Sequence, residues 1–104
     1  MRRIALILLL SPLLVLAQGG CGRPAQIGGD KDSFKAVDAL YTAVSLRDPG
    51  HLDRCEKTLR DLRARGKLPG TAGRSLDSIV VEARGGRWED AQARLGAFMR
   101  GQRR

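Results

Sequence analysis

The chain has 104 residues, 19 Lys or Arg against 11 Asp or Glu, one His and two Cys. That length allows one small domain. The formal charge of +8 suits an anionic partner such as a headgroup, a nucleic acid or an acidic polymer.

The first 20 residues have the organisation of an export signal. Arg2 and Arg3 precede an apolar run, "IALILLLSPLLVLA", from Ile4 to Ala17. The run is short for a membrane span and carries Pro12 in its middle. Ala17, Gly19 and Gly20 then offer the small side chains a signal peptidase accepts. Export leaves no expectation of a nucleic-acid partner. Of the 19 basic residues, 15 are Arg and four are Lys.

The stretch "LAQGGCG" at 16–22 resembles the lipobox of bacterial lipoproteins, with Cys21 directly after small Gly19 and Gly20. Gln18 stands where that motif has an aliphatic residue. The resemblance implies cleavage before Cys21, a thioether from its sulfur to diacylglycerol, and a membrane as partner through that lipid. The residues alone leave a second route open. Cleavage after Ala17 or Gly19 would leave Cys21 unlipidated, and an oxidising compartment would permit a Cys21–Cys55 disulfide. Residues 22–30, "GRPAQIGGD", read as a flexible linker because Gly and Pro dominate them. The resulting division is a signal peptide at 1–20, an anchor and linker at 21–31, a helical domain at 32–100 and a basic tail at 101–104.

From Asp32 onward the apolar residues recur at helical spacing, so the expected fold is all-α: four helices arranged as two hairpins. The first, about 33–46, aligns Phe34, Val37, Leu40, Tyr41 and Val44. Asp48 is placed to cap the second, with Pro49 at its first position and Gly66 free to end it. That helix, about 49–65, carries Leu52, Cys55, Leu59 and Leu62, and Cys55 reads as a small buried hydrophobe. "KLPGTAG" opens the third helix, either with Pro69 as first residue or with Thr71 as cap, and Ala72, Leu76, Ile79, Val80 and Ala83 form its stripe. "GG" at 85–86 turns the chain into a fourth, about 87–100, with Trp88, Ala91, Leu95, Phe98 and Met99. Glu89 and Asp90 favour its positive N-terminal end.

The halves align at an offset of 36, Leu40 on Leu76, Val44 on Val80, Leu59 on Leu95, which suggests repeated hairpins. Gly86, Trp88 and Ala91 have the spacing of a tetratricopeptide hairpin, and the second half resembles one. Ser75 and Ile79 depart from that family's pattern of a large aromatic and a small residue. The resemblance implies peptide binding. Two hairpins are fewer than solenoids use, so a closed four-helix arrangement is expected. So small a core makes stability marginal, gives the four aromatics value as filler, and makes a homodimer a reasonable expectation.

The chemistry-bearing residues are sparse. His51 lacks neighbouring ligands at metal spacing and reads as a solvent-facing turn residue. There is no CxxC pair, no Gly-rich phosphate loop after a strand, and one His to serve any triad. No enzyme activity and no cofactor are therefore expected; Cys21 is the one site residue, and a protein partner is the expected mode of action. On the second helix, Asp53–Lys57 and Glu56–Arg60 have the spacing of intrahelical pairs. Residues 67–104 hold eight basic and four acidic residues, residues 30–66 eight and seven, which puts the charge excess in the C-terminal half. The tail "RGQRR" reads either as a solvated end or as a contact for anionic headgroups.

Overall fold

A computed structural model describes residues 24–102. The expected signal peptide and Cys21 lie outside the described residues. Four helices follow in order: α1 (Lys31–Ser45), α2 (Pro49–Ala64), α3 (Gly70–Arg84) and α4 (Trp88–Arg100). The all-α, two-hairpin expectation holds.

Local chemistry sets the helix starts. The Asp30 carboxylate accepts from the Ser33 amide (3.0 Å) and starts α1 two residues before the periodicity suggests. Asp48 accepts from the His51 amide (3.1 Å), with Pro49 in the first turn where its missing N–H is no loss. For α3 the two sequence alternatives miss by one and by two positions. Pro69 itself holds the cap position, its φ of −58° and ψ of 146° carrying an extended backbone into Gly70, while Thr71 lies in the first turn.

Three helix ends share one device. After α1 the amides of Arg47 and Asp48 bond the carbonyls of Val44 and Ala43; after α3 those of Gly86 and Arg87 bond Ala83 and Glu82. The amides of Gly66 and Lys67 do the same after α2. This is the Schellman pattern, whose C′ residue is left-handed: φ is +53° at Arg47, +74° at Gly66 and +87° at Gly86. The turns and the core repeat at different offsets. Positions 31, 45, 47 and 49 correspond to 70, 84, 86 and 88, an offset of 39, whereas buried Leu40, Ala43, Val44, Cys55, Leu59 and Leu62 correspond to buried Leu76, Ile79, Val80, Ala91, Leu95 and Phe98 at the expected 36. An offset of 36 is ten helical turns, so it preserves helical phase and rewards apolar matches wherever the loops fall.

Each helix packs on two others: α1 on α2 and α4, and α3 on α2 and α4. The ring is closed, as α1 lies beside α4 and completes it. Short connections make neighbours antiparallel, and side-chain pairs confirm it: Lys67 reaches Asp32 (3.0 Å) and Arg84 reaches Asp53 (2.6 Å). The bundle thus has two ends. One, here the near end, gathers residues 24–30, the α2–α3 connection and residues 101–102; the far end holds the turns at 46–48 and 85–87.

The shared core takes Leu40 and Val44 from α1, Leu52, Cys55, Leu59 and Leu62 from α2, Leu76, Ile79 and Val80 from α3, and Leu95 and Phe98 from α4. Of the aromatics expected as filler, Phe98 is buried, whereas Phe34, Tyr41 and Trp88 are only partly so. The expected flexible linker also looks different. Ile27 is 1% exposed within the core, and Leu68, from the α2–α3 connection, is buried too. Both are lone large apolar residues in polar, Gly- and Pro-containing segments, and burial repays the cost of ordering those segments.

Candidate functional site

The near end is fixed by a clasp between the two ends of the described chain. The Gln102 side chain accepts from the Ile27 amide (2.7 Å) and donates to the carbonyls of Ala25 (2.8 Å) and Phe98 (2.9 Å). In return the Gln26 amide donates to the Gly101 carbonyl (2.9 Å). Pro24 lies so close to Gly101 that a Cβ there would strike the proline ring. Residues 101 and 102 of the expected solvated tail are therefore part of the fold, and Pro24 sits at the α4 corner of the ring.

The carboxylates of α2 do not form the pairs expected along their own helix. Asp53 and Glu56 both turn to Arg84 of α3, which grips them as a bridge between the helices. The hydrogen bonds that the Arg84 guanidinium donates to Asp53 and then Glu56 hold it more firmly protonated than usual. Lys57 and Arg60 are left without a carboxylate at ion-pair distance. Elsewhere Glu82 takes Arg87 (3.2 Å) and Arg94 (2.8 Å), Arg63 takes Asp77 (2.7 Å), and Arg65 takes Asp61 (2.7 Å). The Asp32 carboxyl is held below the ordinary range by the Lys67 hydrogen bond and charge.

Among the described residues, grooves open between α1 and α4 and between α1 and α2. The larger, about 310 Å³, runs between α1 and α4 over Tyr41, Gln92, Ala93 and Gly96, with Glu89 toward the far end and Arg100 toward the near end. Gln92 donates to the Tyr41 hydroxyl (3.4 Å), and Gly96 brings the α4 backbone close to the Tyr41 ring. Helical spacing placed Tyr41 on the apolar stripe of α1 but gave no sign that Gly96 would face it. The smaller, about 150 Å³, lies between α1 and α2. Its lining includes Ala36, Ala39, Arg54 and Thr58, together with Cys55 and His51. His51 is half-buried at this rim rather than fully solvent-facing. Cys55 is buried and unbridged, and burial pushes its thiol pKa up.

The far end exposes two large apolar side chains, Leu46 (66%) and Val81 (67%). Gly86, Trp88 and Ala91 lie nearby: Gly86 makes the turn, Trp88 opens α4 half-buried, and Ala91 is buried. Among the described residues no cluster of His, Cys, Asp or Glu is placed to hold a metal, and no helix is long and apolar enough to cross a membrane. Comparison with family models, with curated proteins and with solved structures returns no match.

Proposed function

We propose that the chain is a small cell-envelope lipoprotein, anchored through diacylated Cys21, whose four-helix domain holds a protein partner and performs no catalysis. The observation that carries the reading is the lipobox-like stretch at 16–22 immediately ahead of a docked segment that begins at Pro24. An anchor so placed ties down the near end and leaves the far end, with Leu46 and Val81, facing away. The α1–α4 groove adds a partner surface that joins an aromatic wall at Tyr41 to opposite charges at Glu89 and Arg100. Such a mix of aromatic and polar groups suits peptide binding. A hairpin that resembles the tetratricopeptide type fits the same use.

The competing disulfide requires Cys21 to reach Cys55. Cys55 lies nine residues from the near end of α2, about 14 Å up the helix axis. Pro24 is at the α4 corner, across the ring from α2. Three residues of chain span at most about 11 Å, so a bridge would require the clasp to open.

Mass spectrometry of the mature N-terminus tests the anchor. The expected product begins at Cys21 and carries diacylglycerol; a mature chain that begins at Gln18 or Gly20 refutes it. Cross-linking from intact envelopes, with reactive groups placed at Tyr41 and Leu46, tests the partner. Recurrent capture of one envelope protein is expected, and adducts with lipid alone would refute the interaction role.

A further inference from the structure

We propose that the near end of the bundle is a binding face for anionic lipid headgroups, which stands the domain end-on against the bilayer. The proposal rests on the lipoprotein reading for its choice of surface, and on charge and geometry for the face itself.

Sequence order places the positive excess in the C-terminal half, but the fold redistributes it along the bundle axis. Dividing each helix at its midpoint puts residues 24–38, 57–77 and 95–102 in the near half. They hold nine Lys or Arg and five Asp or Glu. The far half, residues 39–56 and 78–94, holds five and six. The near half of the described chain is therefore +4 and the far half −1. Arg103 and Arg104 follow Gln102 directly in sequence.

Pairing sharpens the contrast. In the far half the carboxylates cap a helix or meet a guanidinium, and Arg54 alone of its cations has no carboxylate at ion-pair distance. In the near half Lys31, Lys35, Lys57, Arg60, Arg74 and Arg100 all lack one, while Asp38 is the sole carboxylate there with neither a pair nor a capping role. Helix dipoles do not offset this, because two N-termini and two C-termini meet at each end. The field of the near end is set by its side chains, and their charges reach a surface within about one Debye length.

The tether selects the occupant. The clasp brings the chain out at the near end, and Cys21 is three residue-to-residue steps from Pro24, about 11 Å of chain at full stretch. A membrane that holds Cys21 is thus within reach of the unpaired cations. A soluble polyanion would have no reason to share the end at which the anchor leaves.

Trp88 is the chain's single tryptophan, and it lies at the far end. The test reconstitutes the full chain into phosphatidylcholine vesicles containing about one-third phosphatidylglycerol and a headgroup-labelled quenching lipid. It compares Trp88 fluorescence with that of the Phe34→Trp/Trp88→Phe variant, whose reporter sits in the first turns of α1. Met99→Trp/Trp88→Phe is a second near-end reporter should the first not fold. Near-end reporters are expected to be quenched about threefold more strongly than Trp88. The difference should vanish in pure phosphatidylcholine, at about 0.5 M salt, and in a Lys31→Gln/Arg60→Gln/Arg74→Gln/Arg100→Gln variant. Equal quenching at both ends, or a difference indifferent to lipid charge and salt, overturns the face. So does a near end that keeps dextran sulfate in the presence of excess anionic vesicles. The mass of the N-terminal peptide from the same preparation reads the anchor separately. A lipidated chain without the contrast overturns the face alone; an unlipidated chain with it overturns the anchor and supports the face.

Discussion

Ile27 decides how the domain begins. In sequence it sits in a Gly- and Pro-rich stretch with the composition of a spacer, yet its side chain fills the near end of the core and its amide is bonded to Gln102. Truncation of a buried Ile costs about 2–4 kcal/mol, whereas in a free linker it would cost nothing. Ile27→Ala should therefore lower the unfolding free energy by about 2–4 kcal/mol in urea titrations, and a change below about 0.5 kcal/mol would return residues 24–30 to the role of a spacer. The composition was misleading here because order in this segment comes from residues 101 and 102, some 75 positions away. No local pattern encodes that contact. By contrast Leu52, Leu59 and Leu62 were legible at once, because their burial follows from helical spacing alone.

Helices and turns show the same division between local and distant causes. The cap at Asp48 and the stop at Gly66 were readable, because each acts on its own backbone. The left-handed Arg47 was not: nothing in its side chain announces the conformation that the Schellman turn imposes, and its counterpart at 86 is Gly. A side chain in that region costs about 1 kcal/mol relative to Gly, and the Arg47–Glu89 pair, at 3.9 Å and exposed, returns little. Arg47→Gly should thus raise stability by about 0.5–1 kcal/mol, read as a higher melting temperature with an unchanged denaturant slope. The Asp32–Lys67 pair, which ties the start of α1 to the α2–α3 connection, has a pH signature. Because the folded carboxyl is depressed, its contribution is present above the ordinary value of 3.8 and is lost as pH falls through the lower folded value. Asp32→Asn should melt below the parent at neutral pH, and the two melting temperatures should converge in acid below pH 3.8. A gap that persists there would assign the effect to something other than this charge.

At the scale of the whole molecule, the sequence conveyed the number of helices and their pairing into hairpins, but not the distribution of charge. That depends on which helices meet. Asp53 and Glu56 of α2 serve Arg84 of α3, and while the turns of the two halves correspond at 39 residues, their buried positions correspond at 36. The closed ring has an energetic consequence that an open stack would not. Separating the hairpins removes two of four helix interfaces, α2–α3 and α4–α1, together with the Gln102 clasp and the shared burial of Leu40, Leu59, Leu76 and Leu95. A lone hairpin of about 40 residues has too little core to fold. Peptides 24–66 and 67–102 should therefore each show little helix by circular dichroism and regain it when mixed, while the intact chain unfolds in one transition at all probes. A hairpin that melts cooperatively by itself would mean that each half stores its own stability, as repeats in a solenoid do. The ring would then be a contact between two finished units. As the core stands, Leu40 of one hairpin and Leu95 of the other are buried in the same cluster, so neither half is finished without its partner.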